Sequence, residues 1–327
     1  MIKAGGTERV DGDPGAQGWG ATRSWVEKRL ADGERITGAE CLRGGWTSEM
    51  RRLRVTGPGG RRDLVLRSFA KPFYVRHAEG LLSREAAVLR LLGATDVPAA
   101  TLVAADATAA SCDHPSLLMS SLPGAVRLDD RDAECRADLL AEQLVRIHQV
   151  EVPADARPRV WQAWTSPERV VLPQDTVRPE LWRTAVDVIR QDPPAVRPCF
   201  LHRDFHPGNV LFDGEGEDVR ISGVVDWVET SWGPADLDVA HCSTALSLLH
   251  GVSLGMTFAD RYLAAGGRLA EQRAAHLYWR ILDALAFAPD AEKVAVPWRE
   301  LGRTDLTPDL LAGRLEEYLH ALFERYA

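Results

Sequence analysis

His202-Arg203-Asp204-Phe205-His206-Pro207-Gly208-Asn209, with Val225-Asp226-Trp227 a short distance downstream, is the stretch on which the reading of this chain turns. Short apolar runs at 199–202, 210–212 and 221–225 read as strands that frame these residues. The pattern therefore sets an Asp at the end of one strand, an Asn five residues on across a Pro-Gly turn, and a second Asp after the next hairpin. Together these groups can orient a hydroxyl and hold Mg²⁺ through hard oxygen ligands. The triplet His-Arg-Asp alone carries little information, whereas the spacing H-x-D-x-x-x-x-N with a strand-borne Asp226 is specific.

On the C-terminal side the periodicity is helical, with apolar residues three and four apart over 133–150, 180–191, 235–250, 270–287 and 308–326. On the N-terminal side it alternates around Gly and Pro, predicting strands at 50–56, 64–69, 101–106 and 116–122, a turn at 57–60, and one helix over 79–92. The expectation is an α+β chain with a flexible lead-in at 1–20, a sheet-rich lobe at 21–122, and a larger helical lobe at 123–327 after Leu122-Pro123-Gly124. With 327 residues and 45% apolar content, disorder is excluded for most of the length. No apolar run is long enough to cross a bilayer. Five cysteines, an odd number with no C-x-x-C, argue against a disulfide framework and a zinc ribbon and fit a reducing compartment. The lead-in has no apolar core, so it is not read as a secretory signal, and a cytoplasmic protein is expected. Residues 1–124 carry 17 Lys and Arg against 14 Asp and Glu, and the remainder 22 against 33, an imbalance that speaks against nucleic-acid binding.

These residues resemble the aminoglycoside phosphotransferase family, whose relatives include choline kinase, macrolide kinases and, more distantly, protein kinases. The resemblance runs from about residue 42 to the C-terminus and is most specific over 202–240. It implies a two-lobe protein-kinase-like fold, with a small antiparallel-sheet N-lobe carrying one main helix and a mainly helical C-lobe. It also implies roles: Asp204 as catalytic base, and Asn209 and Asp226 as metal ligands. Gly233-Pro234-Ala235-Asp236-Leu237-Asp238-Val239-Ala240 looks like the family's G-P-x-x-x-D-x-A, whose Asp, here Asp238, anchors the catalytic loop. In the N-lobe, Arg67 and Glu85 resemble the phosphate-clamping cation and its carboxylate partner. Glu85 shares a helix face with Leu81, Val88, Leu89 and Leu92, where a carboxylate needs a cation. The turn Gly44-Gly45-Trp46-Thr47-Ser48 would lay N–H groups and hydroxyls over the phosphates, and the strand with Met119 and Ser121 matches the adenine-binding hinge. The implied cofactors are ATP, with GTP as the alternative, and Mg²⁺. Two departures stand out: Arg67 where kinases usually carry Lys, and Arg203 where most of the family carries Gly. A local salt bridge is expected for Arg203.

Each residue also has a plainer reading. His202 is expected to pack rather than react, and His206 to bond within its loop. Most of Trp161, Trp164, Trp182, Trp232, Trp279 and Trp298 read as core rather than as a cage for a quaternary ammonium group. Glu229, following Asp226, is either an acceptor ligand or a solvated loop carboxylate. The leading expectation is an ATP-dependent O-phosphotransferase acting on a hydroxyl of an aminoglycoside, a macrolide or another amine-bearing metabolite, working as a monomer or small homo-oligomer. The acidic C-terminal half, with Glu229 and Glu316-Glu317, favours a cationic acceptor. A choline- or sugar-type kinase is the alternative within the family. Outside it stand a metal-dependent hydrolase, with His202, Asp204, His206, Asp226 and His241 as ligands, and a catalytically silent nucleotide-binding protein.

Overall fold

The computed structural model describes residues 19–42 and 48–327. The chain divides into two compact units: the described residues up to Ser83 with Leu102–Ser121, and Arg84–Thr101 with Leu122–Ala327. The segment 84–101, placed in the sheet-rich lobe by the sequence reading, is part of the second unit.

In the first unit, β1 (Arg35–Cys41), β2 (Glu49–Gly57), β3 (Gly60–Ser68), β4 (Leu102–Asp106) and β5 (Ser116–Ser120) form an antiparallel sheet in the order β1-β2-β3-β5-β4. Gly57 pairs with Gly60 across the β2–β3 turn, where Gly60 takes a φ of +102° that an L side chain resists. Alternation then sends Leu53, Val55, Leu64 and Leu66 to one face, where they are buried with Leu118 and with Trp25 and Val26 of α1 (Gly20–Glu27). Each such side chain contributes about 1.5–3 kcal/mol by leaving water. The Asp106 carboxylate accepts the backbone N–H groups of Ala110, Ser111 and Cys112, closing the β4–β5 connection.

α2 (Pro72–Leu92) runs from the first unit into the second and starts seven residues before the expected 79, with Pro72 at its first position, where its missing N–H costs nothing. The rest of the second unit is helical: α3 (Ala133–His148), α4 (Pro179–Ile189), α5 (Ala235–His250), α6 (Val252–Ala264), α7 (Arg273–Leu285), α8 (Glu292–Glu300) and α9 (Pro308–Tyr326). Two antiparallel strand pairs complete it, β6 (Pro198–Leu201) with β9 (Ser231–Pro234) and the hairpin β7 (Val210–Asp213) with β8 (Arg220–Val224).

α5 is apolar or small nearly all round and buried from Ala235 to Leu249, as a helix at the centre of a core must be. α6 approaches it closely at Gly255, where a Cβ would lie 1.9 Å from Ser247 Oγ and 2.3 Å from Ser243 O. The core around α5 takes Trp182, Trp279 and Trp298. This agrees with the plainer reading of most tryptophans. Glu316 is committed inside the same unit, accepting the Trp182 indole N–H at 2.8 Å and the Thr176 hydroxyl. No described helix is long and apolar enough to cross a membrane.

Candidate active site

β6 delivers its last residues onto the first turns of α5. Asp238, fully buried, accepts the His202 N–H at 2.8 Å through Oδ2 and the Arg203 N–H at 2.9 Å through Oδ1. His148 of α3 adds its Nε2 at 3.2 Å, and its Nδ1 lies 2.7 Å from the Tyr262 hydroxyl. Two backbone donors and an imidazole offset the cost of burying this carboxylate; against the upward push of burial, the His148 bond and neighbouring positive charges hold it below the usual carboxylate range.

Arg203 has a φ of +76°, in the left-handed region where glycine is favoured, which gives a physical reason for Gly being usual here. The expected salt bridge is absent: among the described residues no ion pair reaches this guanidinium. It lies instead 3.9 Å from the centroid of the Trp164 ring and donates to Gln162 O at 3.2 Å, leaving Nε and Nη1 buried with no protein partner. A planar cation stacked on an indole replaces the carboxylate.

Asp204 keeps about 30% of its side chain exposed. Its Oδ2 accepts from Asn209 Nδ2 at 2.9 Å, and the same amide donates to the Asp204 carbonyl at 2.9 Å. Its Oδ1 lies 3.2 Å from His241 Nε2 and 4.0 Å from His206 Nε2. Burial alone would raise its carboxyl, but the His241 hydrogen bond and the surrounding imidazoles hold it well below the usual range. The Pro207–Asn209 turn returns the chain so that Asn209 O accepts the Val225 N–H at 3.0 Å, fixing the end of β8 beside the loop. Asp226 follows with a φ of +63°. Gly208 is required by the fold of the His206 ring over this turn, since a Cβ there would meet His206 Cε1 at 2.6 Å.

His202 packs, as expected: it is fully buried, its Nε2 meets Val225 O at 3.0 Å, and its Nδ1 accepts the Asp204 N–H at 3.3 Å. His206 accepts the Gly208 N–H at 3.1 Å through Nδ1 and is lowered by burial to about 4, so its ring is neutral with the proton on Nε2. Asp204, His206 and His241 present one ligand-type atom each within 4.8 Å of one another. The His206 tautomer opposes a metal there, because ligation through Nε2 would move its proton to Nδ1, against the Gly208 N–H. Both ring nitrogens of His202 are also engaged, so of the five residues weighed as hydrolase ligands the structure brings together Asp204, His206 and His241, with His206 in the wrong tautomer to ligate through Nε2.

Glu229 is ion-paired with Arg159. In the first unit, Arg67 is buried and donates from Nε to Ser48 Oγ at 3.0 Å; Met119 lies in β5, and Ser121 donates its N–H to Asp63 O at 3.2 Å. Glu85, in the second unit, is also buried. Gly44, Gly45 and Thr47 lie outside the described residues. Sequence reasoning missed two partners of the loop. His241 was weighed only as a metal ligand and Asp283 not at all, although Asp238 and His241, three apart on one helix, share a face.

The family model for the phosphotransferase enzyme family matches residues 39–278. The chain belongs to this family. It is a small-molecule kinase with a hydroxyl acceptor, and its fold is the kinase-like one of aminoglycoside phosphotransferases. No curated protein matches the chain. Among solved structures, this phosphotransferase is similar to a protein of Ralstonia eutropha JMP134 assigned to the aminoglycoside phosphotransferases: 17% identity, 94% of this chain, 97% of the other, TM-score 0.62. It is also similar to a macrolide 2′-phosphotransferase of Brachybacterium faecium, at 18% identity, 90% and 97% coverage and a TM-score of 0.55. A third is a thermostable mutant of an aminoglycoside phosphotransferase in ternary complex with ADP and hygromycin B: 16% identity, 94% and 99% coverage, TM-score 0.59.

Proposed function

We propose that this phosphotransferase moves the γ-phosphoryl group of ATP to a hydroxyl of an amine-bearing antibiotic or metabolite, in the cytoplasm, as a monomer or small homo-oligomer. The observation that carries the reading is the arrangement at Asp204: an ionised, partly exposed carboxylate whose two oxygens are held by Asn209 and His241. In this reading Asp204 orients the acceptor hydroxyl and takes its proton as the new P–O bond forms. Asn209 and Asp226 would hold Mg²⁺. Their oxygen donors suit that ion, and because the Asn209 amide nitrogen is spent on Asp204, its carbonyl oxygen is the atom left to ligate. When bound, the ion would neutralise charge on the nucleotide phosphates. Arg67, Glu85, Ser48, Met119 and Ser121, with Gly44, Gly45 and Thr47, are proposed for the nucleotide. That all five cysteines are free fits a reducing compartment.

For the acceptor, rings surround the loop histidines: Trp164 and Phe287 against His241, and Trp298 against His206. With Trp164 half-buried beside the loop and Phe287 and Trp298 in the core, it is the acidic C-terminal half that suits an amine-bearing acceptor more than a neutral sugar. Glu229, paired with Arg159, is proposed to meet the acceptor amine. ADP release from Mg-ATP, across aminoglycosides, macrolides, choline-like alcohols and neutral sugars, tests the proposal. Turnover of an amine-bearing antibiotic is expected, and turnover of neutral sugars alone would overturn the acceptor class. Asp226→Ala is expected to weaken Mg-dependent ATP binding by about 10-fold or more, through loss of a charged ligand. Thermal-shift titration with and without Mg²⁺ reads this, and equal ATP affinity in both proteins would remove Asp226 from the metal site.

A further inference from the structure

The loop carboxylate is one end of a buried chain. His241 of α5 lies 3.2 Å from Asp204 Oδ1 through Nε2 and 3.1 Å from Asp283 Oδ1 of α7 through Nδ1. Asp283 in turn accepts the Thr244 hydroxyl at 2.7 Å, and Thr244 sits on the same helix as His241. Two carboxylate oxygens facing the two ring nitrogens leave one protonation state that satisfies all contacts: an imidazolium donating from both. The ring is also held sterically, edge-to-face with Trp164 at 4.9 Å and stacked on Phe287 at 5.7 Å. We infer that His241 is a positioning residue for phosphoryl transfer, a fixed cation clamped by Asp283 that sets the orientation of Asp204 toward the acceptor hydroxyl. This inference rests on the reading of Asp204 as the base.

Because the ring already carries both protons, it takes none from the acceptor. Its work is to hold Oδ1 in place while Asn209 holds Oδ2, so that the remaining lone pairs of the carboxylate point in a defined direction. The groups facing the ring are Asp204 and His206 from the loop and Asp283 from α7. Arg203 and Lys293 lie within the field of Asp283. Burial works against the ring's charge, but Asp283 and Asp204 raise it to about 9, while His206 stays neutral. Stabilisation from the charged ring is therefore full below pH about 6.5, the ordinary histidine value, and is lost as the pH rises through about 9. The clamp should loosen over the same interval.

The test is the pH profile of kcat for wild type, His241→Gln and Asp283→Asn, each checked for folding by thermal melting. Wild type should lose kcat above pH about 9. Folded His241→Gln should show kcat lowered about 10- to 100-fold, ATP KM little changed, and the alkaline limb gone, since a glutamine carries no charge and no titrating proton. Asp283→Asn keeps a hydrogen-bonding partner for Nδ1 but removes the charge, and should move the alkaline limb down by about one pH unit. If His241→Gln does not fold, Asp283→Asn decides. A wild-type kcat and an unmoved limb in folded variants would overturn the inference. Asp204→Asn separates the two readings: full activity there removes the base assignment and the inference with it. An inactive Asp204→Asn beside a wild-type-like His241→Gln removes the inference alone.

Discussion

Asp204→Asn is expected to lower kcat by about 10²–10⁴-fold, the range for loss of a positioned base, while ATP affinity changes by no more than about threefold. The variant keeps the shape of the side chain but not its bonding. Asp204 accepts on both oxygens, from Asn209 Nδ2 and from the His241 ring. An asparagine offers one oxygen, so it cannot accept from both Asn209 Nδ2 and a doubly protonated His241 ring. The proton acceptor and part of the loop's order are lost together, while Asn209 and Asp226 remain for the proposed metal site. The measurement is ADP release under saturating Mg-ATP and acceptor, with a thermal-shift titration of ATP alongside. A kcat within about threefold of wild type would show that the acceptor proton goes elsewhere.

Asp238→Ala is expected to be the most destabilising single change near the loop. It strips acceptors from two buried backbone N–H groups, those of His202 and Arg203, and a partner from His148. Each orphaned donor costs about 1–3 kcal/mol, and Arg203, at a φ of +76°, loses the bond that holds it there. A total of about 3–6 kcal/mol is a large share of the 5–15 kcal/mol typical of a native protein, and should lower Tm by about 10 °C or more. The pH dependence has a definite sign. A carboxyl held below its ordinary value stabilises the fold above its unfolded pKa, about 3.9, and stops doing so as the pH falls through the folded value. The Tm gap between wild type and variant should therefore be constant near neutrality and shrink below pH about 4. A gap that persists unchanged into acid would mean the ionised carboxylate is not what anchors the loop.

The α+β class and most of the strands and helices were legible because amphipathic periodicity is strong where one face is buried. Where the signal was missed, a physical reason is visible. β1, Arg-Ile-Thr-Gly-Ala-Glu-Cys, is half-exposed and has no strong apolar face. α6 follows directly on Gly251 and carries Gly255 within it; α8 contains Pro297. Local propensity argues against helix at each, and packing overrides it. At the loop, the spacing of Asp204 and Asn209 carried their contact, because a five-residue turn closed by Pro-Gly leaves few alternatives. The Asp204–His241–Asp283 chain was not legible. Its members come from a loop and two helices, 37 and 42 residues apart in order, and no local pattern encodes such a meeting.

α5 carries both the group that pins the loop's backbone and the group that meets its carboxylate, and it is buried along nearly its whole length. The rings packed on His241 and His206 belong to other segments: Trp164 to the connection before α4, Phe287 to the residues just after α7, and Trp298 to α8. Inheritance can therefore act on these parts at different rates. Of these rings, Trp164 keeps exposed surface that can vary, whereas a change at Phe287, at Trp298 or on the helix disturbs the core directly.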